Sequence, residues 1–318
     1  MKFMSLEELL IWFPEVAQFD HWIRLEPLVK GYSNDKKYCL YNVQGERFLV
    51  RVCEDEMLKN KVLNFEMMQL FWKERIPVSQ PLLLGGDNAG RCYQLFSWLD
   101  GDDAELVVPT LSDAQQYTLG KQAGKWLHQM HAVKTNHKPR MGWKERYEGK
   151  IVKALFQYRA CGIQLPHESA FIRCIEDNKH LLGARGQVWQ HGDYHIGNMV
   201  MSDQDSIGII DFGGAGWGDP WEEFKSMIWC LHGQIPSFAQ GQIAGYFGDE
   251  IPETFWRLLA LYFARNAVMS VPWSIPFGDK EIEKALQNAR IILDLYENFL
   301  TYQPKLFLRY FDVASMHS

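Results

Sequence analysis

The run His191-Gly192-Asp193-Tyr194-His195-Ile196-Gly197-Asn198, followed by Ile209-Ile210-Asp211-Phe212-Gly213, decides how this chain is read. Three polar anchors stand out in it: Asp193, Asn198 and Asp211. Phosphoryl transfer between oxygens needs a carboxylate at the attacking hydroxyl and oxygen ligands that hold magnesium across the phosphates, because the catalysis is mainly positioning and charge neutralisation. These side chains supply that set. Alone, Asp193 could be a turn aspartate satisfied by backbone amides. Beside Asn198 and Asp211 the site reading is favoured.

Working outward, the segment 186–212 is a strand-loop-strand region inside a helical stretch. Helical periodicity dominates from Ser112 to Val133, with Ser112 and Asp113 as the N-terminal cap, and returns from Trp221 to Phe299. Before residue 100 the character is different. Short β-rich runs at Ile23–Val29, Lys37–Val43 and Arg47–Cys53 form a meander, with Gln44-Gly45-Glu46 as a turn. Glu54 to Arg75 has apolar residues at a helical period and stops before Pro77. Two further strands, Gln80–Leu84 and Arg91–Trp98, flank the turn-forming Gly85-Gly86-Asp87-Asn88-Ala89-Gly90. The expected order is β-β-β-α-β-β, then helices, with a boundary near residue 100.

The skeleton His-x-Asp, four residues, Asn, with an aspartate at the end of the next apolar strand, is the kinase catalytic-loop pattern. The chain resembles the aminoglycoside phosphotransferase-like family, relatives of choline and fructosamine kinases. The resemblance extends to Gly31-Tyr32-Ser33-Asn34, the strand Phe48–Val52, the helix bearing Glu66, Ser97-Trp98-Leu99-Asp100-Gly101, Leu127-His128-Gln129-Met130-His131 and Gly218-Asp219-Pro220. It implies an α+β, bilobal, protein-kinase-like fold. A small antiparallel five-stranded N-terminal lobe with one helix, residues 1–99, ends in the hinge. A larger, mainly helical C-terminal lobe, residues 100–318, carries the catalytic loop, the metal site and the acceptor pocket.

By that resemblance Asp193 is the catalytic base or hydroxyl-positioning group, Asn198 and Asp211 bind Mg2+, and His191 braces the loop. The backbone of Ser97 and Leu99 is the adenine hinge, Ser33 and Asn34 lie in the nucleotide loop, and Asp219 is a structural support. ATP, or GTP, is the implied phosphoryl donor. Two departures matter. The strand residue that holds the α- and β-phosphates is usually lysine but is Arg51 here, with Glu66 as its expected partner; a guanidinium stays charged and grips phosphate with two donors. The nucleotide loop has one glycine where protein kinases have three. His191, Asp193 and His195 as the metal ligands of a hydrolase, and a catalytically silent nucleotide-binding module, are the rival readings. His195, His128 and His131 are given no chemistry.

Composition limits the partners. The chain of 318 residues is 47% hydrophobic, enough for a sizeable core, and its formal charge of −6 without a basic run argues against nucleic acid and anionic membranes. No apolar stretch approaches the roughly 20 residues of a membrane span, and the N-terminus lacks a secretory pattern, so a cytoplasmic protein, monomer or homodimer, is expected. Six cysteines spread singly read as reduced core residues. The acidic stretch Asp100, Asp102, Asp103 and Glu105 is either a solvated loop or a recognition surface for a cationic small-molecule acceptor. An aminoglycoside-like antibiotic is the leading acceptor; macrolides, choline-like amines and sugar metabolites are the alternatives.

Overall fold

Alternating apolar residues and tight turns build the first sheet. The computed structural model describes residues 3–29, 35–54, 58–87, 89–202, 206–248 and 250–307, with backbone only for residues 54 and 58–60. The chain opens with α1 (Leu6–Trp12) and α2 (Pro14–Phe19), followed by β1 (Trp22–Leu28), β2 (Lys36–Asn42), β3 (Arg47–Glu54), α3 (Leu58–Lys73), β4 (Pro81–Gly86) and β5 (Arg91–Ser97). After β6 (Asp102–Asp103) come α4 (Ala104–Val107), α5 (Asp113–Ala132), α6 (Trp143–Ala160) and α7 (Glu168–Asn178). The short strands β7 (Val188–Gln190), β8 (Met199–Met201), β9 (Ile207–Ile209) and β10 (Gly216–Gly218) precede α8 (Ile228–His232), α9 (Pro236–Phe247), α10 (Glu253–Ser274) and α11 (Asp279–Leu295).

Two compact units result: Met1–Asp103 with Met199–Ala215, and Ala104–Asn198 with Gly216–Ser318. The division near residue 100 is therefore not a single cut, because β8 and β9 return to the first unit. There they continue a small sheet in the order β6-β8-β9.

The main sheet of the first unit is antiparallel, five-stranded, in the order β1-β2-β3-β5-β4. Tyr38, Leu40, Val50, Tyr93 and Leu95 bury against Leu9 of α1, Val16 of α2 and Phe13 between them. These two helices cover the sheet and were not anticipated. Their signal was local: Ser5 and Glu8 form a reciprocal capping box, the S-x-x-E pattern of a helix start. The cysteine expectation also needs correction. Cys53 and Cys92 lie directly opposite one another on β3 and β5 and form a disulfide, while Cys39, Cys174 and Cys230 are free and buried as expected.

The second unit is helical around α10, whose Leu258, Leu261, Tyr262 and Val268 are all buried. Ser112 caps α5 in a box with Gln115. Helices α5 and α9 meet backbone to backbone: a Cβ at Gly124 would stand 2.0 Å from the Gln242 carbonyl oxygen, and one at Gly245 the same distance from that of Lys121. Only glycine permits such an approach. Among the described residues no helix is long and apolar enough to cross a membrane.

Candidate active site

In the second unit β7 ends at Gln190 and the chain turns through Gly192, whose left-handed φ of 87° a side chain would strain. His191 is buried, and its Nδ1 accepts the backbone N–H of Asp193 at 3.3 Å. The Tyr194 hydroxyl donates to the Ala123 carbonyl at 2.7 Å, pinning the loop to α5. From the other side the Gly192 N–H donates to Oε1 of Glu223 at 2.9 Å. Held by these ties, Asp193 points outward with 53% of its side chain exposed.

Around its carboxylate the loop folds on itself. Asn198 Nδ2 donates to both the Asp193 carbonyl and Oδ2, each at 3.0 Å. So oriented, the amide leaves its oxygen Oδ1 as the end that suits a cation. His195 Nδ1 accepts the Gly197 N–H at 3.1 Å, which puts the ring proton on Nε2, 3.3 Å from Asp193 Oδ2. His195 is thus hydrogen-bonded within the same loop as Asp193 and Asn198. Desolvation pulls the Asp193 carboxyl upward, but the hydrogen bond from His195 and the positive potential of His195, His191 and Lys225 outweigh it, leaving the pKa below the ordinary value. Glu223, by contrast, is pushed up to about 7 by burial, against the pull of Lys225 and of the Gly192 N–H.

The same unit shows why Asp219 sits where it does. Fully buried, it accepts two hydrogen bonds from Arg185 at 2.7 and 2.9 Å, one from the Tyr262 hydroxyl at 2.5 Å and one from the Trp221 N–H at 2.9 Å. Those bonds fix the turn from β10 toward α8. It is a brace.

In the first unit Asp211 follows β9 in a left-handed backbone conformation, φ 61°, a strained geometry that tends to mark functional positions. Phe212 is buried, 5.9 Å from the Phe71 ring, and its carbonyl accepts Asn64 Nδ2 at 3.0 Å, so α3 holds the turn. Gly213 sits close to this cluster: a Cβ there would stand 3.1 Å from Arg51 Nη2 and 3.2 Å from Asp211 Oδ1, a tight approach. The Asp211 carboxylate takes Arg51 Nη1 at 3.1 Å on one oxygen and Lys37 Nζ at 2.6 Å on the other. Arg51 also donates through Nε to Asp35 Oδ2 at 3.0 Å, and Lys61 of α3 pairs with that same oxygen. Arg51 Nη2 lies 2.9 Å from Asp35 Oδ2 but is out of line for a hydrogen bond.

The carboxylates that meet Arg51 in these bonds come from outside α3. Glu66 lies on the exposed side of α3, whereas Lys61, Phe65 and Met68 form the buried stripe, so α3 turns a lysine inward and the carboxylates come from Asp35 and Asp211. Lys37, Lys61 and Asp35 were missed; Lys61 was detectable because it shares helical phase with Phe65 and Met68. At the end of β5 the Ser97 N–H is spent on the Gln80 carbonyl at 2.9 Å and its hydroxyl accepts the Gln80 N–H at 2.8 Å. Leu99 packs against Gly208. Ser33 and Asn34 lie outside the described residues. Asp100 pairs with Arg47, which removes it from the acidic stretch as a free charge.

One unit presents an ionised carboxylate open to solvent, and the other an aspartate faced by buried cations. Together with a five-stranded antiparallel sheet and a helical remainder they define the class of protein-kinase-like phosphotransferases. The chain belongs to the phosphotransferase enzyme family, whose family pattern matches residues 24–258. Among curated proteins a search found no match. Solved structures align over nearly the whole length. An amicoumacin kinase in complex with AMP-PNP, Ca2+ and Ami is 12% identical with a TM-score of 0.65, covering 96% of this chain and 97% of that one. A thermostable mutant of an aminoglycoside phosphotransferase in ternary complex with AMP-PNP and hygromycin B is 15% identical, TM-score 0.66, covering 92% and 99%. A spectinomycin phosphotransferase with ADP and spectinomycin is 12% identical, TM-score 0.62, covering 93% and 95%. At such identities the likeness establishes the fold.

Proposed function

We propose that this protein transfers the γ-phosphoryl group of ATP or GTP to a hydroxyl of a small molecule, with an aminoglycoside-like antibiotic as the leading acceptor. The observation that carries the reading is Asp193: an exposed carboxylate with a depressed pKa, oriented by its own loop through His195 and Asn198. In this role it accepts or orients the acceptor's hydroxyl proton as the oxygen attacks phosphorus. Arg51 grips the nucleotide's phosphates, and the strand end at Ser97 and Leu99 meets the base through backbone groups other than the Ser97 amide. Ser33 and Asn34 are assigned to the nucleotide loop and Glu66 to the solvent face of α3.

Carboxylate and amide oxygens are hard donors that fit Mg2+, and Asp211 and Asn198 are the residues that would hold it. When bound, the ion supplies charge neutralisation for the phosphates. Support for a cationic acceptor comes from the net charge of −6 and from Asp102, Asp103 and Glu105. The solved structures named above hold Ami, hygromycin B and spectinomycin beside their nucleotides, which favours that acceptor class over choline-like amines or sugars.

The test is ADP release with Mg-ATP, and in parallel GDP release with Mg-GTP, across aminoglycosides, macrolides, choline-like amines and sugars. Turnover stimulated by one class and lost in Asp193→Ala establishes the reaction and its acceptor. Nucleotide that binds without turnover on any acceptor, at wild-type and mutant alike, sinks the reading in favour of a silent nucleotide-binding module.

A further inference from the structure

Lys37 and Arg51 are direct cross-strand partners in the β2–β3 register, so their side chains leave the same face of the sheet side by side. Like charges in that relation repel, and here both are largely shielded from water, with side-chain exposures of 13% and 7%. The pair is tolerated because Asp211 bridges it, one oxygen to each cation. Lys61, also buried, brings a third positive charge from α3, and Asp35 answers Arg51 and Lys61 together. Among the described residues, three cations thus converge on two carboxylates. The surplus is positive, in a place where an unbalanced charge is costly.

A polyphosphate is the anion that such a surplus suits: several negative oxygens, spaced to meet an ammonium and a guanidinium held side by side. A guanidinium is planar and directional, whereas an ammonium is a compact point charge. Arg51 alone therefore does not reproduce what a lysine does at its position, but Lys37 supplies the ammonium from the neighbouring strand. We propose that Lys37 is a second phosphate-binding residue of the nucleotide site, dividing with Arg51 the task that one strand lysine performs elsewhere in this fold. The inference rests on the nucleotide-binding reading of Arg51 and adds a residue to it.

Isothermal titration with ATP and with adenosine tests it, on wild type, Lys37→Met, Asp211→Asn and the double variant. EDTA is present throughout, so the metal role proposed for Asp211 does not enter. Lys37→Met should weaken ATP about tenfold and leave adenosine unchanged, the size expected for one lost charge-assisted bond. The same tenfold should persist in the Asp211→Asn background, because Lys37 meets phosphate itself. If Lys37→Met costs nothing once Asp211 is neutral, Lys37 acts only as a structural bridge and the proposal is overturned. Equal losses for ATP and adenosine overturn it too. Wild-type protein that prefers ATP to adenosine by nothing would sink the nucleotide-binding reading itself, a different failure from either of these.

Discussion

The catalytic loop and the cation cluster solve opposite electrostatic problems. In the loop, the contacts that set Asp193 span short distances in sequence: two residues to His191 and to His195, five to Asn198. The carboxylate is over half exposed, so water shares the work of stabilising its charge. In the cluster, Arg51 reaches Asp35 16 residues away and Asp211 160 residues away, and Lys37 reaches Asp211 across 174. Little of it meets solvent, so its charges must satisfy one another, and the fold must be complete before they can. On the proposed function the loop is tuned for reactivity at small cost in stability, whereas in the cluster nucleotide affinity and folding would be coupled.

The largest effect that follows belongs to the loop and should leave folding alone. Asp193→Asn should lower kcat by roughly 10²–10⁴, the usual contribution of a positioned general base, while ATP affinity stays within about twofold. Steady-state kinetics and calorimetry on one preparation decide it; affinity that falls along with kcat would erase the contrast. Arg51→Met should do the reverse. Truncating one member of a buried ion network typically costs about 3–5 kcal/mol, so urea unfolding should show a marked loss beside weakened ATP binding. A variant as stable as wild type would mean that the cluster's charges are not mutually dependent.

This contrast also explains what could be read from the chain before folding. The loop was legible because its chemistry is written in consecutive residues, and the strands because alternation and turns such as Gln44-Gly45-Glu46 are local. Of the cluster, only Arg51 and Asp211 were legible. A lysine at the start of β2 reads as a solvated strand end, and Asp35 as a turn residue; only the antiparallel register that sets Lys37 against Arg51 reveals them. Glu66 was favoured because glutamate is the expected partner on this helix, yet the helical phase of Phe65 and Met68 turns Lys61 inward instead. Cys53 and Cys92 escaped for the same reason. Their pairing depends on β5 lying beside β3, with α3 and β4 between them in sequence.

Glu223, like Ala123 of α5, ties the loop to distant sequence, and it offers a sharper test of the loop's dependence on burial. Its pKa is raised by desolvation from an ordinary 4.5 to about 7, so the folded protein keeps a proton that the unfolded chain releases. Stability from this group is therefore full below about pH 4.5 and is lost as pH rises toward 7, amounting to on the order of 3 kcal/mol. Glu223→Gln keeps an acceptor for the Gly192 N–H and cannot ionise. Its unfolding free energy should be flatter with pH across that window than that of wild type, by urea titration at pH 5 and pH 7. Parallel slopes in the two proteins would show that Glu223 does not titrate there.

The smallest expected effect isolates His195. Because its Nδ1 accepts the Gly197 N–H, its Nε2 is the donor toward Asp193, and a glutamine amide can make the same donation without a ring. His195→Ala should lower kcat about tenfold with KM for nucleotide unchanged, the scale of one hydrogen bond to an ionised group, while His195→Gln should recover most of that loss. A residue that served only to pack against Trp229, 5.9 Å from its ring, would give a different pattern. Alanine and glutamine would then both destabilise the loop, and KM would rise with the fall in kcat. Recovery by glutamine ties the effect to a donated proton and places orientation of Asp193 within the loop's own few residues.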